Sequence, residues 1–273
     1  MQNGAAVYLD TAKTAALAAG ETLMGYWGKV REIREKSFAG DLVTEADNAS
    51  EEVVIEQIRG RYPSHSIICE ESGMHEIAGA EYLWAVDPLD GTTNYAHHHP
   101  LFCISIALLH HGKPIVGVVY NPVYKEMFHA VQGRGAFLNS EPITVSSCDE
   151  LSRSLLATGF AYDRRDTDDN NYPEFCALTS RTHGVRRCGS AALDLAYVAS
   201  GRLDGFWERG LNVWDIAAGI VLVEEAKGSI SSYENGAIDL MSGRILASNG
   251  KIHAQMSKAL QEAGLLRKSL PPL

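Results

Sequence analysis

The chain has 273 residues, of which 45% are hydrophobic and 21% charged, with a formal net charge of −10 at pH 7. That is ample material for one large core or two closely packed halves, and the acidic balance argues against a nucleic-acid surface as the main business. No apolar run reaches the ~18 residues a membrane helix needs, and no basic stretch followed by an apolar core opens the chain. The five cysteines (Cys69, Cys103, Cys148, Cys176, Cys188) are scattered and form no C-x-x-C pair. They read as reduced thiols of a cytoplasmic protein rather than zinc ligands or a disulfide framework.

Taken in order, Tyr8, Ala12, Ala15, Ala19, Leu23 and Tyr26 recur at helical spacing and predict a helix over Val7 to Trp27. The charged stretch Arg31 to Lys36 reads as a half-exposed strand or loop. A second helix is expected from Asn48 to Arg61, with Asn48 and Glu51 as a capping box and Val53, Val54 and Ile58 toward the core. Ser66 to Cys69 reads as a short strand with Glu70 and Glu71 at its end, and Leu83 to Val86 as a buried one. Asp87 stands where that run stops, and Pro88, which has no N–H, is expected to end the ladder.

Asp90, Gly91, Thr92 and Thr93 follow at once. Two carboxylates close together repel each other, and a divalent cation is the usual remedy. Gly91 permits close approach to the backbone, where N–H groups can hold a phosphate. Alone, the Asp-Pro-x-Asp-Gly pattern is equally well read as a surface turn. His97, His98 and His99 are adjacent in a Pro-bounded loop and point different ways, so they are not taken as metal ligands.

From Phe102 to Val145 the pattern is an antiparallel meander, with turns at His111-Gly112, at Gln132 to Gly135 and from Asn139 to Pro142. Beyond residue 150 strands and helices alternate. Strands are expected at Ser154 to Phe160, Val185 to Cys188 and Leu203 to Glu208, with helices at Pro173 to Thr182, Ser190 to Ser200 and Asp215 to Lys227. Strands near Ser229 and Ile245 and a helix from Ile252 to Ala263 close the chain. A boundary near residue 150 divides 1–150, with most of the acidic motifs, from 151–273.

Asp87-Pro88-Leu89-Asp90-Gly91-Thr92-Thr93-Asn94 resembles the signature of the inositol monophosphatase family, magnesium-dependent and lithium-sensitive phosphatases. Three further segments match in order. They are Asp41-Leu-Val-Thr-Glu-Ala-Asp47, Glu70-Glu71-Ser72 and Trp214-Asp215-Ile-Ala-Ala-Gly219. Cys69 departs from the family, which usually carries glycine there. Gly189-Ser190-Ala191-Ala192 and Glu208 resemble its substrate segments.

The resemblance implies a mixed α/β fold, a layered αβαβα sandwich, usually as a homodimer. It implies that Glu70, Asp87 and the Leu89 carbonyl hold one magnesium and Asp87, Asp90 and Asp215 another, with a third, weaker ion near Glu70. All are hard oxygen donors, which select magnesium, manganese or calcium. By resemblance, Asp47 bonds Thr92, Thr92 and Glu70 orient water, and Gly91 and Thr92 offer N–H groups to phosphate. Gly189, Ser190, Ala191 and Glu208 would meet a polyol, with inositol 1-phosphate foremost. Fructose 1,6-bisphosphate, histidinol phosphate, NADP and nucleotide bisphosphates share such a metal site and stay open as substrates. So does a regulatory role that binds the transcription machinery through the basic cluster Arg181 to Arg187.

Overall fold

The computed structural model describes residues 4–30, 33–36 and 41–267. Helix α1 (Gly4–Tyr26) opens them. A hairpin of β1 (Ile33–Glu35) and β2 (Leu42–Thr44) leads into α2 (Glu45–Arg61). Of the charged stretch Arg31 to Lys36, residues 31 and 32 lie outside the described residues, and β1 is exposed along its length.

Next comes an eight-stranded sheet. Its strands are β3 (Ser66–Cys69), β4 (Gly73–His75), β5 (Tyr82–Asp90), β6 (Cys103–His110), β7 (Lys113–Asn121), β8 (Glu126–Val131), β9 (Ala136–Leu138) and β10 (Glu141–Ile143). They lie in the order β10-β9-β8-β7-β6-β5-β3-β4, a meander apart from the parallel step between β3 and β5. A short helix, α3 (Thr92–Ala96), joins β5 to β6.

The second sheet contains β11 (Leu155–Thr158), β12 (Gly184–Arg186), β13 (Gly205–Glu208), β14 (Ser229–Ser231) and β15 (Ile245–Ser248), in the order β12-β11-β13-β15-β14. Helices α4 (Tyr172–Thr179), α5 (Ala191–Ala199), α6 (Val213–Glu225) and α7 (His253–Arg267) connect or follow these strands.

Three apolar cores define the layers. α1 and α2 cover one face of the large sheet, where Ala12, Ala15, Ala16 and Ala19 are sealed against Trp84, Ile104 and Ile106. α5 and α6 fill the space between the sheets. α4 and α7 close the outer face of the small sheet over Trp207 and Leu246, with Met256 of α7 packed in the same core. The αβαβα sandwich implied by the motifs is the architecture observed.

The middle layer explains the composition of its helices. A helix that is apolar on all sides must be interior, and every residue of α5 except Tyr197 is buried. α6 presses so close to β7 that a Cβ on Gly117 would lie 2.4 Å from the Ala218 carbonyl oxygen. Gly219 likewise leaves no room, since a Cβ there would meet Leu195 at 2.4 Å. The Ala-Ala-Gly run is therefore a packing requirement of the helix that carries Asp215.

Several expectations are corrected. Pro88 does not end the ladder: β5 continues to Asp90 with a register shift, Asp87 facing Ser105 and Asp90 facing Cys103. The capping box of α2 is Thr44 with Asp47, not Asn48 with Glu51. Glu51 instead accepts the backbone N–H groups of Glu71 and Ser72, both at 2.9 Å, and so ties down the loop after β3. Val53 is only half-buried, whereas Val54 and Ile58 are sealed. Glu141 and Pro142 belong to strand β10 rather than to a turn. Among the described residues no helix is long and apolar enough to cross a membrane.

Gly117→Ala is expected to lower stability by about 1–3 kcal/mol, because the added methyl must push α6 off the sheet. The midpoint of urea unfolding measures it, and an unchanged midpoint would refute the close approach.

Candidate active site

The site begins with the irregularity in β5. Side chains alternate across a regular strand, so residues 87 and 90 should face opposite sides. Between them β5 spends three steps while β6 spends two, from Ser105 to Cys103. That bulge inserts one residue and brings Asp90 to the face of Asp87. Pro88 is tolerated because the ladder is interrupted there; its carbonyl accepts Ser50 Oγ at 2.8 Å. The Asp87 carboxylate accepts the Leu89 N–H at 3.0 Å.

Each remaining carboxylate arrives from a different element. Glu70 follows β3, and its N–H donates to the Val86 carbonyl at 3.2 Å, next to Asp87. Asp47 is the third residue of α2, and its Oδ2 accepts from Thr44 N at 2.9 Å and Thr44 Oγ1 at 2.6 Å. Its Oδ1 lies 3.1 Å from Thr92 Oγ1. Asp215 holds the same place in α6 and accepts from Asn212 N at 2.6 Å. Asp90 Oδ2 accepts from Ser190 Oγ at 2.6 Å and Ala192 N at 2.7 Å, which joins β5 to the start of α5.

These groups border one cavity of roughly 410 Å³, lined by Glu70, Asp87, Leu89, Asp90, Gly91, Thr92, Gly189, Ser190, Ala191, Glu208 and Asp215. That volume suits a small ligand. Every pocket residue singled out in the sequence is brought together there; Asp47 stands behind Thr92. Gly91 has φ +98°, and a Cβ on it would sit 3.0 Å from the Leu101 carbonyl oxygen, so the residue must be glycine. A Cβ on Gly159 would fall 2.1 Å from the Glu208 carboxylate. Cys69 is fully buried and pairs with Val86 and Gly73 in ordinary strand geometry, so its side chain causes no backbone strain beside Glu70. Trp214 is half-buried, and its carbonyl accepts Ser105 Oγ at 2.9 Å.

The electrostatics call for positive charge. Burial, then Glu70, Asp90 and Asp215, push the Asp87 carboxyl well above the usual range. Burial, then Glu70 and Asp90, do the same to Asp215. Burial raises Asp90 to about 6, against the hydrogen bonds from Ser190 and Ala192, and raises Asp47 to about 6. A cation would relieve that cost. With only carboxylate and carbonyl oxygens on offer, the donor set fits a hard divalent ion.

Further groups outside the acidic motifs stand at or beside the cavity. Lys36 Nζ pairs with Glu70 at 2.8 Å and Glu71 at 2.6 Å. Burial works to lower the lysine, but the two carboxylates prevail and hold it raised. Tyr162 and Arg187 line the cavity. So does Asp194, whose Oδ1 is buried without a hydrogen-bond partner. None stands in a motif; in sequence Lys36 precedes the Asp41 motif and lies 34 positions from Glu70, so its partner was not legible there.

A model of the inositol monophosphatase family matches residues 6–265. The chain belongs to the inositol monophosphatase family. It is 57% identical over 93% of its length to an inositol-1-monophosphatase of Synechocystis sp., 88% of which is covered. It is 43% identical to the Nus factor SuhB of Pseudomonas aeruginosa, over 93% of this chain and 95% of that one. The solved inositol monophosphatase of Anabaena superposes with a TM-score of 0.86 at 53% identity, covering 98% of this chain and 97% of that one. The protein is thus a phosphatase of this metal-dependent family, with its layered α/β fold.

Burial, opposed by a hydrogen bond with Cys188, raises the Asp194 carboxyl to about 8. The folded protein then keeps a proton that the unfolded chain releases above about pH 4, so stability falls as pH climbs from ~4 to ~8. Asp194→Asn removes this dependence. The variant is expected to exceed the parent by about 1 kcal/mol or more at pH 8 and to gain little at pH 5, read from urea midpoints at both values.

Proposed function

We propose that this protein is a magnesium-dependent phosphomonoesterase acting on a small polyol phosphate, foremost inositol 1-phosphate. The observation that carries the reading is the convergence of Glu70, Asp87, Asp90 and Asp215 on one cavity, the buried members raised by one another's charge. Glu70, Asp87 and the Leu89 carbonyl would hold one magnesium, and Asp87, Asp90 and Asp215 a second. When bound, such ions polarise a phosphoryl oxygen and favour hydroxide over water.

The protein's own groups do the positioning. Thr92 Oγ1 lies 3.1 Å from both Asp47 Oδ1 and the Leu89 carbonyl, and both are acceptors. Its proton is therefore committed to one of them, and its lone pairs are left to accept a hydrogen from the attacking water. Gly91, in a left-handed conformation ahead of α3, leaves the first N–H groups of that helix without helical partners. They suit phosphate oxygens. The Ser190 hydroxyl is committed to Asp90, so Ser190 would meet substrate through its backbone. Glu208, buried and raised to about 8, suits a polyol hydroxyl to which it can donate as well as accept.

The family resemblance supports a cytoplasmic homodimer sensitive to lithium. The basic cluster behind a regulatory reading is less coherent than in sequence: Arg181 pairs with Glu262 at 2.7 Å, and Arg187 turns to the cavity.

Phosphate release from inositol 1-phosphate should require added magnesium and fall to background in Asp87→Asn. Thr92→Val, which keeps shape but loses the hydroxyl, should lower kcat by about 10²–10⁴-fold with KM little changed. Full turnover in both variants would overturn the mechanism. A panel including fructose 1,6-bisphosphate, histidinol phosphate and NADP decides the substrate.

A further inference from the structure

At the other end of the central strand pair, Glu81, His110 and His111 each present one ligand atom, and the three lie within 4.8 Å of one another. Tyr82 pairs with His110 across β5 and β6, and His111 N–H donates to the Glu81 carbonyl at 3.0 Å. The ladder therefore runs one step beyond both strands and sets Glu81 opposite His111.

Adjacent residues on a strand normally point to opposite faces. Here they do not, because His111 takes φ +48° at the turn into β7. That left-handed backbone, uncommon for a residue with a side chain, swings its ring to within 4.2 Å of the His110 ring. His110 is also held in place. Its ring stacks on Tyr82 at 4.6 Å, Tyr82 on His65 at 4.7 Å, and His65 on Tyr62 at 4.8 Å.

We propose that Glu81, His110 and His111 form a second metal site, for a divalent ion of the zinc class, at the end of the sheet remote from the phosphate cavity. Two imidazole nitrogens and one carboxylate oxygen are a borderline donor set that favours zinc, nickel or copper over magnesium. The active-site cavity offers oxygens alone, so the two sites sort ions by chemistry. Six residue steps separate Glu81 from Asp87, about 20 Å at strand rise, so the second site does not touch the reaction. Tetrahedral zinc bonds of ~2.0–2.1 Å place ligand atoms about 3.4 Å apart, within reach of small side-chain rotations from the observed spacing. Glu81 and His111 are exposed, which gives the ion a path and leaves room for water as a further ligand. Bound there, the ion would clip the β6–β7 turn to the start of β5.

The test is zinc titration of the full chain in millimolar magnesium against a chromophoric chelator. The expected result is one zinc equivalent in the parent and in Asp87→Asn, with affinity reduced at least tenfold in His110→Gln, His111→Gln and Glu81→Gln. Zinc should raise the melting temperature of the parent but not of His111→Gln. His111→Gln, an exposed turn change, should keep the magnesium-dependent phosphate release of the parent. Zinc affinity unchanged in the histidine variants, or lost only in Asp87→Asn, would overturn the proposal. Because the readout is metal binding, it stands or falls apart from the phosphatase reading.

Discussion

One extra residue in β5 decides where the acidic side chains of this protein go. Without the bulge between Asp87 and Asp90, strand alternation would send the two carboxylates to opposite faces of the sheet. With it, both face the cavity, and the Leu89 carbonyl and Thr92 follow in place. Pro88 is compatible with this geometry because the ladder bond it cannot donate is the one the bulge gives up. The rest of the pocket is assembled around that kink.

The flanking helices supply the remaining carboxylates by a shared device. Asp47 and Asp215 are each the third residue of a helix, and each spends one oxygen on the backbone N–H of the residue before the helix. The N-terminal end of a helix favours negative charge, which offsets part of the cost of holding an ionised group in a desolvated cavity. The second Asp47 oxygen then reaches Thr92. Capping and site building are one arrangement here, not competing explanations of the same residue.

The layered packing transmits these positions. Asp90 reaches across to Ser190 and Ala192 at the start of α5. Asn94 donates to the carbonyls of Leu101 at 2.6 Å and Cys188 at 2.8 Å. α6 lies against Gly117 so closely that the placement of Asp215 is fixed by the absence of a side chain. The site is thus a product of both sheets and of the helices between them.

The sequence by itself determined what is local. Helical spacing of alanines placed α1; apolar runs placed β3 and the start of β5, and turn residues marked the meander; and the acidic motifs named the residues that line the cavity. These signals survive without tertiary structure because each depends on neighbours a few positions away. Tertiary structure decided what depends on partners distant in the chain. The register shift at Pro88 needs β6 beside it, and Glu51 became a loop anchor only once the loop after β3 reached α2. Lys36 found Glu70 across 34 positions. His110 and His111 met Glu81 because strand pairing, with a left-handed turn, laid three unremarkable residues side by side.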